Sequence, residues 1–200
     1  MGFRAVGVDE GESESPRTPE PPASPDILRG SIESPPSAVS KEPFDVMFLS
    51  WELQRAIDPG LALDNARSML KPGGLLFADV PNHGAYTAKR LGPAWYSHDA
   101  GRFLNFFTSR SLTRSLESKG FAVVDLLYHN YTVQFRKPRL VIEQELWDRL
   151  YEGADLKAIG VRPPRRKSGL EQWRGLLGSM FRGPSEMYEV AGIVGRKVDA

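Results

Sequence analysis

The pattern of apolar positions sharpens at Phe44. Phe44-Asp45-Val46-Met47-Phe48-Leu49 is a nearly unbroken apolar run with one early acid. That suits a strand buried on both faces, as in a parallel sheet. Over residues 60–70 the period changes: Leu61, Leu63, Ala66, Met69 and Leu70 recur at roughly helical spacing. Lys71-Pro72-Gly73-Gly74 predicts the stop, with a cation near the helix end, a breaker and two permissive residues. Leu75 to Val80 is a second strand pattern, closed by Pro81-Asn82. Residues 83–107 read as a long aromatic loop region carrying Tyr86, Trp95, Tyr96, Phe103, Phe106 and Phe107. Thr108 is placed to cap a helix over 109–119, with Leu112 and Leu116 on one face and Gly120 at its end. Phe121 to Tyr128 predicts a third strand. An amphipathic helix follows over 139–151 (Leu140, Ile142, Leu146, Trp147, Leu150), then a short helix over 170–181 and a final strand over Met187–Val194. Strands and helices in alternation predict an α/β fold, with a mostly parallel sheet and helices on its faces. The last strand, arriving after a long excursion, is expected to run antiparallel.

The amino-terminal stretch is different. Residues 3–8 read as a short strand closed by Asp9. Residues 11–43 hold eight of the 16 prolines, mixed with Ser and Glu, and bury too little apolar surface to offset the entropy of ordering. One island, Asp26 to Gly30, could form a short strand. The expected organisation is therefore residues 1–10 as a lone strand, 11–43 as largely irregular chain, and 44–200 as the main body.

Charge follows the same division. Residues 1–45 hold four Lys/Arg and nine Asp/Glu, and residues 46–200 hold 22 and 16. An acidic arm on a mildly basic body does not suggest a nucleic-acid partner, which would need a denser basic face. Arg162, Arg165, Arg166 and Lys167 form a basic loop with no interleaved aromatics, read as solvated. Cysteine is absent, so disulfides, thiolate-bound zinc and a cysteine nucleophile are excluded. No run of about 18 or more apolar residues predicts a transmembrane helix. The first ten residues lack a signal-peptide core, so a cytoplasmic location is expected.

Between residues 44 and 124 the ordered set Phe44-Asp45-Val46, Asp58-Pro59, Met69-Leu70-Lys71-Pro72-Gly73-Gly74-Leu75-Leu76 and Val80-Pro81-Asn82 resembles the fourth and fifth strands of class I S-adenosylmethionine-dependent methyltransferases. Trp95-Tyr96, Arg102-Phe103-Leu104, Phe107-Thr108 and Lys119-Gly120-Phe121 resemble a bacterial subgroup related to quinone-biosynthesis and natural-product enzymes. The resemblance implies a Rossmann-like fold, S-adenosylmethionine as cofactor and methyl transfer to a small-molecule acceptor. It also implies roles. Gly2 to Asp9 is similar to the family's second strand, which puts Asp9 on the cofactor's ribose hydroxyls. Gly30-Ser31-Ile32-Glu33 is similar to the segment beside the adenine, although the family often has an acid where this chain has Ser31. Ser50 and Trp51, after the fourth strand, complete the implied cofactor contacts.

The chain also departs from the family. No Gly-x-Gly-x-Gly turn is present, and the family's central first strand would precede residue 1. The sequence thus reads as the carboxy-terminal two-thirds of such a domain: a fragment, a misassigned start, or a chain whose amino arm refolds into the gap. Two functional readings stay open. One is an active enzyme, with cofactor grip impaired by the missing turn; the other is an inactive remnant or split domain that an upstream polypeptide completes. The subgroup's Glu-His pair is replaced by Gln54-Arg55, poor ligands for a hard cation, so no metal is expected.

Methyl transfer needs an aligned nucleophile, excluded water and at most a modest base. In open α/β sheets such sites lie beyond the carboxyl ends of the strands. That selects Asn82 and His83 after the second strand of the main body. His83 is the candidate base, read alternatively as a loop histidine at the surface or bonded to nearby backbone. Asn82, Trp95, Tyr96 and His98 are the candidate acceptor contacts; the aromatic loop with Gly92-Pro93 reads either as a lid or as a hydrophobic cap over the sheet edge. Trp51 is read equally as a cofactor contact, by cation–π packing on the sulfonium, or as core. Asp45 is read as a buried structural acid, and His129 is given no role.

Overall fold

The computed structural model describes residues 4–9, 26–39, 42–99, 101–131 and 169–199, together with Glu145 and Arg149. The predicted helix over 139–151 and the basic loop of Arg162 to Lys167 lie outside them, apart from those two residues, both helical. The described elements are strands β1 (Val6–Asp9), β2 (Asp26–Arg29) and β3 (Phe44–Ser50), helix α1 (Pro59–Met69), strand β4 (Leu70–Pro81), helices α2 (Tyr86–Leu91) and α3 (Ser109–Ser118), strand β5 (Phe121–His129), helices α4 (Gly169–Met180) and α5 (Pro184–Met187), and strand β6 (Val190–Lys197).

The strands form two sheets. β1 and β2 pair in parallel. The larger sheet has the order β3-β4-β6-β5, with β3 parallel to β4 and β6 antiparallel to both β4 and β5. Three strands of the larger sheet therefore point one way, and the last one in the chain runs against them, as the pattern predicts. Between the two sheets no described strand joins β1 to β3.

β4 explains where the core sits. Its side chains alternate, with Leu76, Ala78 and Val80 buried and Leu75, Phe77 and Asp79 only half-buried. The buried row meets Leu49 and Ile193 from its neighbours and packs against Ala62, Leu63 and Ala66 of α1 and Leu112 and Leu116 of α3. Among the described residues α1 and α3 thus cover one face. The other face shows Val46, Leu127 and a Phe48 that is 71% exposed, stacked on Phe77 at 4.9 Å.

That arrangement corrects one reading. Asp45 is exposed rather than buried, because among the described residues β3 lies at the edge of its sheet; its carboxylate pairs with Lys71 Nζ at 2.8 Å. A second difference concerns Lys71-Pro72-Gly73-Gly74. Instead of ending in a separate turn, these residues bulge from the start of β4, so the ladder jumps from Phe44↔Leu70 to Val46↔Leu75. Gly73 takes a φ of 70°, a left-handed angle that disfavours any side chain.

The local signals for the helices hold. Asp58 caps α1 by accepting from Leu61 N, and Pro59 follows at the first turn. Thr108 and Ser111 form a reciprocal capping box on α3. α2 and α5 lie where the sequence showed no helical period: six and four residues are too few to display one.

Candidate functional site

The carboxyl ends of β3 and β4 lie side by side, with Ser50 opposite Asp79. The chain leaves β3 through Trp51, which adopts a left-handed φ of 60°. A non-glycine residue there costs on the order of 1–3 kcal/mol and persists only where its surroundings hold it. Asp79 supplies the hold: Trp51 N donates to Asp79 O at 3.1 Å and lies 3.2 Å from Asp79 Oδ1. The Trp51 ring then rests 6.0 Å from Phe103 in a tilted contact. Asp79 was not singled out from sequence; an acid ending an otherwise apolar strand was the available signal.

Gln54 sits in the turn after Trp51. Its carbonyl accepts from Leu104 N and Asn105 N, so the aromatic loop is stitched over this turn. Its side chain is buried, and its amide Oε1 and Nε2 find no hydrogen-bond partner among the described residues. Those residues also bring together no group of three or more His, Asp or Glu placed to hold a metal.

On the side of the two-stranded sheet, Asp9 stands exposed at the carboxyl end of β1. Ser31 Oγ accepts from Ser34 N at 3.0 Å, forming a tight turn. Ile32 packs on the main core. Two further residues tie this segment down. Asn65 Nδ2 donates to Ile32 O and Glu33 O, both at 3.0 Å. The Glu33 carboxylate accepts from Ile57 N at 3.0 Å and Asp58 N at 2.6 Å, just ahead of α1. An acid favours that position because the amide groups at a helix start lack internal partners.

Beyond β4 the loop residues divide into anchors and lining. Asn82 is 0% exposed, and its side chain is fully engaged. Its Nδ2 donates to Ser185 O at 2.8 Å and Tyr188 O at 2.9 Å, and its Oδ1 accepts from Gly84 N at 3.0 Å. It therefore ties the end of β4 to the chain entering β6, with both its amide donors spent on that tie. Trp95 is likewise an anchor: it is 1% exposed, and its Nε1 donates to Glu189 Oε1 at 2.7 Å.

His83, His98 and Tyr96 remain accessible. The backbone of His83 is fixed by its N–H donating to Phe107 O at 2.8 Å. Its ring stands in an aromatic nest: Trp95 edge-on at 4.8 Å, Phe106 at 4.6 Å and His98 at 5.5 Å. His98 stacks flat on Phe106, at 4.8 Å and 5°. Burial, with repulsion from His98 as a smaller cause, lowers the His83 pKa to about 4, so its imidazole is neutral at physiological pH.

On the open face of the sheet a hollow of about 190 Å³ is lined by Phe48, Ser50, Phe77, Asp79, Leu127 and His129, among others. His129 Nε2 lies 3.7 Å from Asp79 Oδ2, so the strand-end histidine left without a role faces the acid that holds Trp51.

Comparison with known proteins adds the family. The profile described as a methyltransferase domain matches residues 2–126. No curated protein sequence matches. Several solved structures share the fold. A methyltransferase dependent on S-adenosylmethionine from Mesorhizobium loti aligns with a TM-score of 0.56 at 12% identity, over 98% of this chain and 82% of that one. One from Archaeoglobus fulgidus gives 0.54 at 13% identity, over 96% and 75%. One from Thermotoga maritima gives 0.51 at 18% identity, over 86% of this chain and 64% of that one, so here the chain spans less than two thirds of the solved relative. At such identities the likeness is one of fold.

Proposed function

The chain belongs to the methyltransferase-domain family, of the class I type that uses S-adenosylmethionine, and from that premise we propose that it transfers a methyl group to a small-molecule acceptor held at the carboxyl ends of β3 and β4. The observation that carries this reading is the aromatic nest around His83, placed one residue beyond the fully buried hub Asn82.

The side chains suit the cofactor. The Asp9 carboxylate has two oxygens for two vicinal ribose hydroxyls. Ser31 and Ile32, the latter held by Asn65, form the wall proposed for the adenine, and Ser50 with the pinned Trp51 the wall toward the sulfonium. When bound, S-adenosylmethionine supplies an electrophilic methyl carried on a sulfonium. The protein's task is then to orient the acceptor atom in line with that methyl and to exclude water. His98 stacked on Phe106 offers a flat surface for a planar acceptor.

The acidity of His83 decides its part. An imidazole with a pKa of about 4 takes a proton poorly from a phenol near 10; the transfer is unfavourable by roughly a million-fold. Neutral His83 therefore works first as a hydrogen-bond acceptor that aims the nucleophile's lone pair. Once methylation had made the acceptor's proton far more acidic, His83 or solvent would be placed to take it.

A second reading is favoured by the sheet. Among the described residues β3 has one hydrogen-bonded neighbour and β1 lies in a separate pair. With no Gly-rich turn in the sequence, this favours a domain that is inactive alone or is completed by a further polypeptide supplying a strand. The test is a transfer assay with methyl-labelled cofactor against a panel of small phenols, amines and carbon acids. The proposal expects a labelled product whose yield falls at least tenfold in His83→Ala. Absence of label from a folded sample across the panel would favour the second reading.

A further inference from the structure

Glu189 lies one residue before β6 and is 1% exposed. A carboxylate at that depth is expensive unless bonded groups compensate it. Its Oε1 accepts from Trp95 Nε1 at 2.7 Å and from Thr87 Oγ1 at 3.2 Å. Its main-chain oxygen accepts from Asn82 N at 2.7 Å. One residue thus grips the site twice, through its backbone at the end of β4 and through its carboxylate on the loop beyond.

The gripped loop cannot place itself. α2 has six residues and the 3₁₀ turn after it spans Gly92–Ala94, lengths at which isolated helix is unstable. Thr87 lies in α2 and Trp95 directly follows the 3₁₀ turn, so the two bonds to Glu189 bracket the segment. Trp95 also packs with Ala85, Ala88 and Leu91 in a small cluster of its own. Of the rings around His83, Phe106 is 43% exposed whereas Trp95 is buried, so Trp95 is the firm wall.

We propose that Glu189 is a positioning residue of the candidate site: by holding the Trp95 indole it fixes the wall against which the His83 ring stands. The catalytic meaning of this latch rests on the methyl-transfer reading, but the latch itself can be tested without turnover. The carboxylate is needed as an acceptor for two donors. A glutamine keeps an acceptor oxygen of similar reach, and a leucine keeps the volume alone.

The test is nuclear magnetic resonance of the intact chain, following the His83 ring and the Trp95 indole N–H in wild type, Glu189→Leu and Glu189→Gln. In wild type the ring titrates near the value of about 4 that burial imposes. In Glu189→Leu the indole proton should exchange with solvent at least about tenfold faster, and the His83 midpoint should rise by about one pH unit or more as its wall loosens. Glu189→Gln should restore both signals, an outcome that a bulk packing role would not produce. Should Glu189→Leu fail to fold, Trp95→Phe, which removes the indole donor together with part of the ring, should raise the His83 midpoint in the same direction. An unchanged His83 titration in whichever of these two variants folds would overturn the proposal, even if thermal stability fell. Failure of the methyl-transfer assay would leave this result standing.

Discussion

Single residues carry the sharpest physical statements. Gln54 buries an amide without partners among the described residues, and each buried unpaired group costs about 1–3 kcal/mol. Gln54→Leu should therefore stabilise the unliganded protein by roughly 1 kcal/mol or more, read from chemical denaturation; a loss of stability would show that the amide is satisfied in solution. His83 gives a pH dependence of definite sign. Its folded pKa of about 4 lies below the ordinary 6.5, so between those values the unfolded chain binds the extra proton. Its full contribution is present above pH 6.5 and is lost progressively as pH falls to about 4. In His83→Phe this part of the decline should vanish, leaving a shallower pH–stability curve over pH 4–6.5; an equally steep curve would contradict the assignment.

Residue placement is legible only where the chemistry is local. His83 is where its place after an apolar strand put it, with His98 5.5 Å away, and Tyr96 is exposed. Asn82 and Trp95 look like site residues from their neighbours in sequence, yet their partners, Ser185 to Glu189, lie about a hundred positions later. Nothing local announces those bonds. Asn82→Ala should accordingly cost at least about 2 kcal/mol, since it deletes three partly buried hydrogen bonds and leaves carbonyls unpaired. A change within 0.5 kcal/mol, measured by denaturant titration, would return Asn82 to the role of a solvent-facing substrate contact.

At the level of elements, periodicity did most of the work. β3, β4 and β5 were readable as apolar runs, and α1 and α3 from spacing and caps. The Thr108 cap is worth about 1 kcal/mol by its chemistry; Thr108→Ala should lower stability by that amount, and Thr108→Asn should recover most of it. What the pattern missed has a common cause. A continuous apolar run suggests burial on both faces, but it does not say whether a neighbour is at hand to bury the second one. Hence Asp45 was read as buried, whereas it lies exposed on a strand that is, among the described residues, at the sheet edge, beside a Phe48 that is also exposed. The short α2 and α5 are held by tertiary bonds to Glu189 and Asn82, which local propensity does not encode.

For the molecule as a whole, the family and the fold agree, and the grip on the cofactor is the open physical question. α1 and α3 pack one face of the larger sheet, the Asp9 strand belongs to another sheet, and no helix among the described residues is long and apolar enough to cross a membrane. The segment around Ser31 and Ile32 is nevertheless moored to α1 through Glu33 and Asn65, so one proposed cofactor wall is fixed to the main core. The most direct measurement is a calorimetric titration of the folded chain with S-adenosylhomocysteine, which keeps the adenosine and amino-acid groups without the reactive methyl. Cofactor binding at the ends of β1 and β3 predicts saturable heat with a dissociation constant in the micromolar range, about −8 kcal/mol, weakened at least tenfold in Asp9→Ala. A folded sample that gives no heat, or an Asp9→Ala variant that binds equally well, would contradict it.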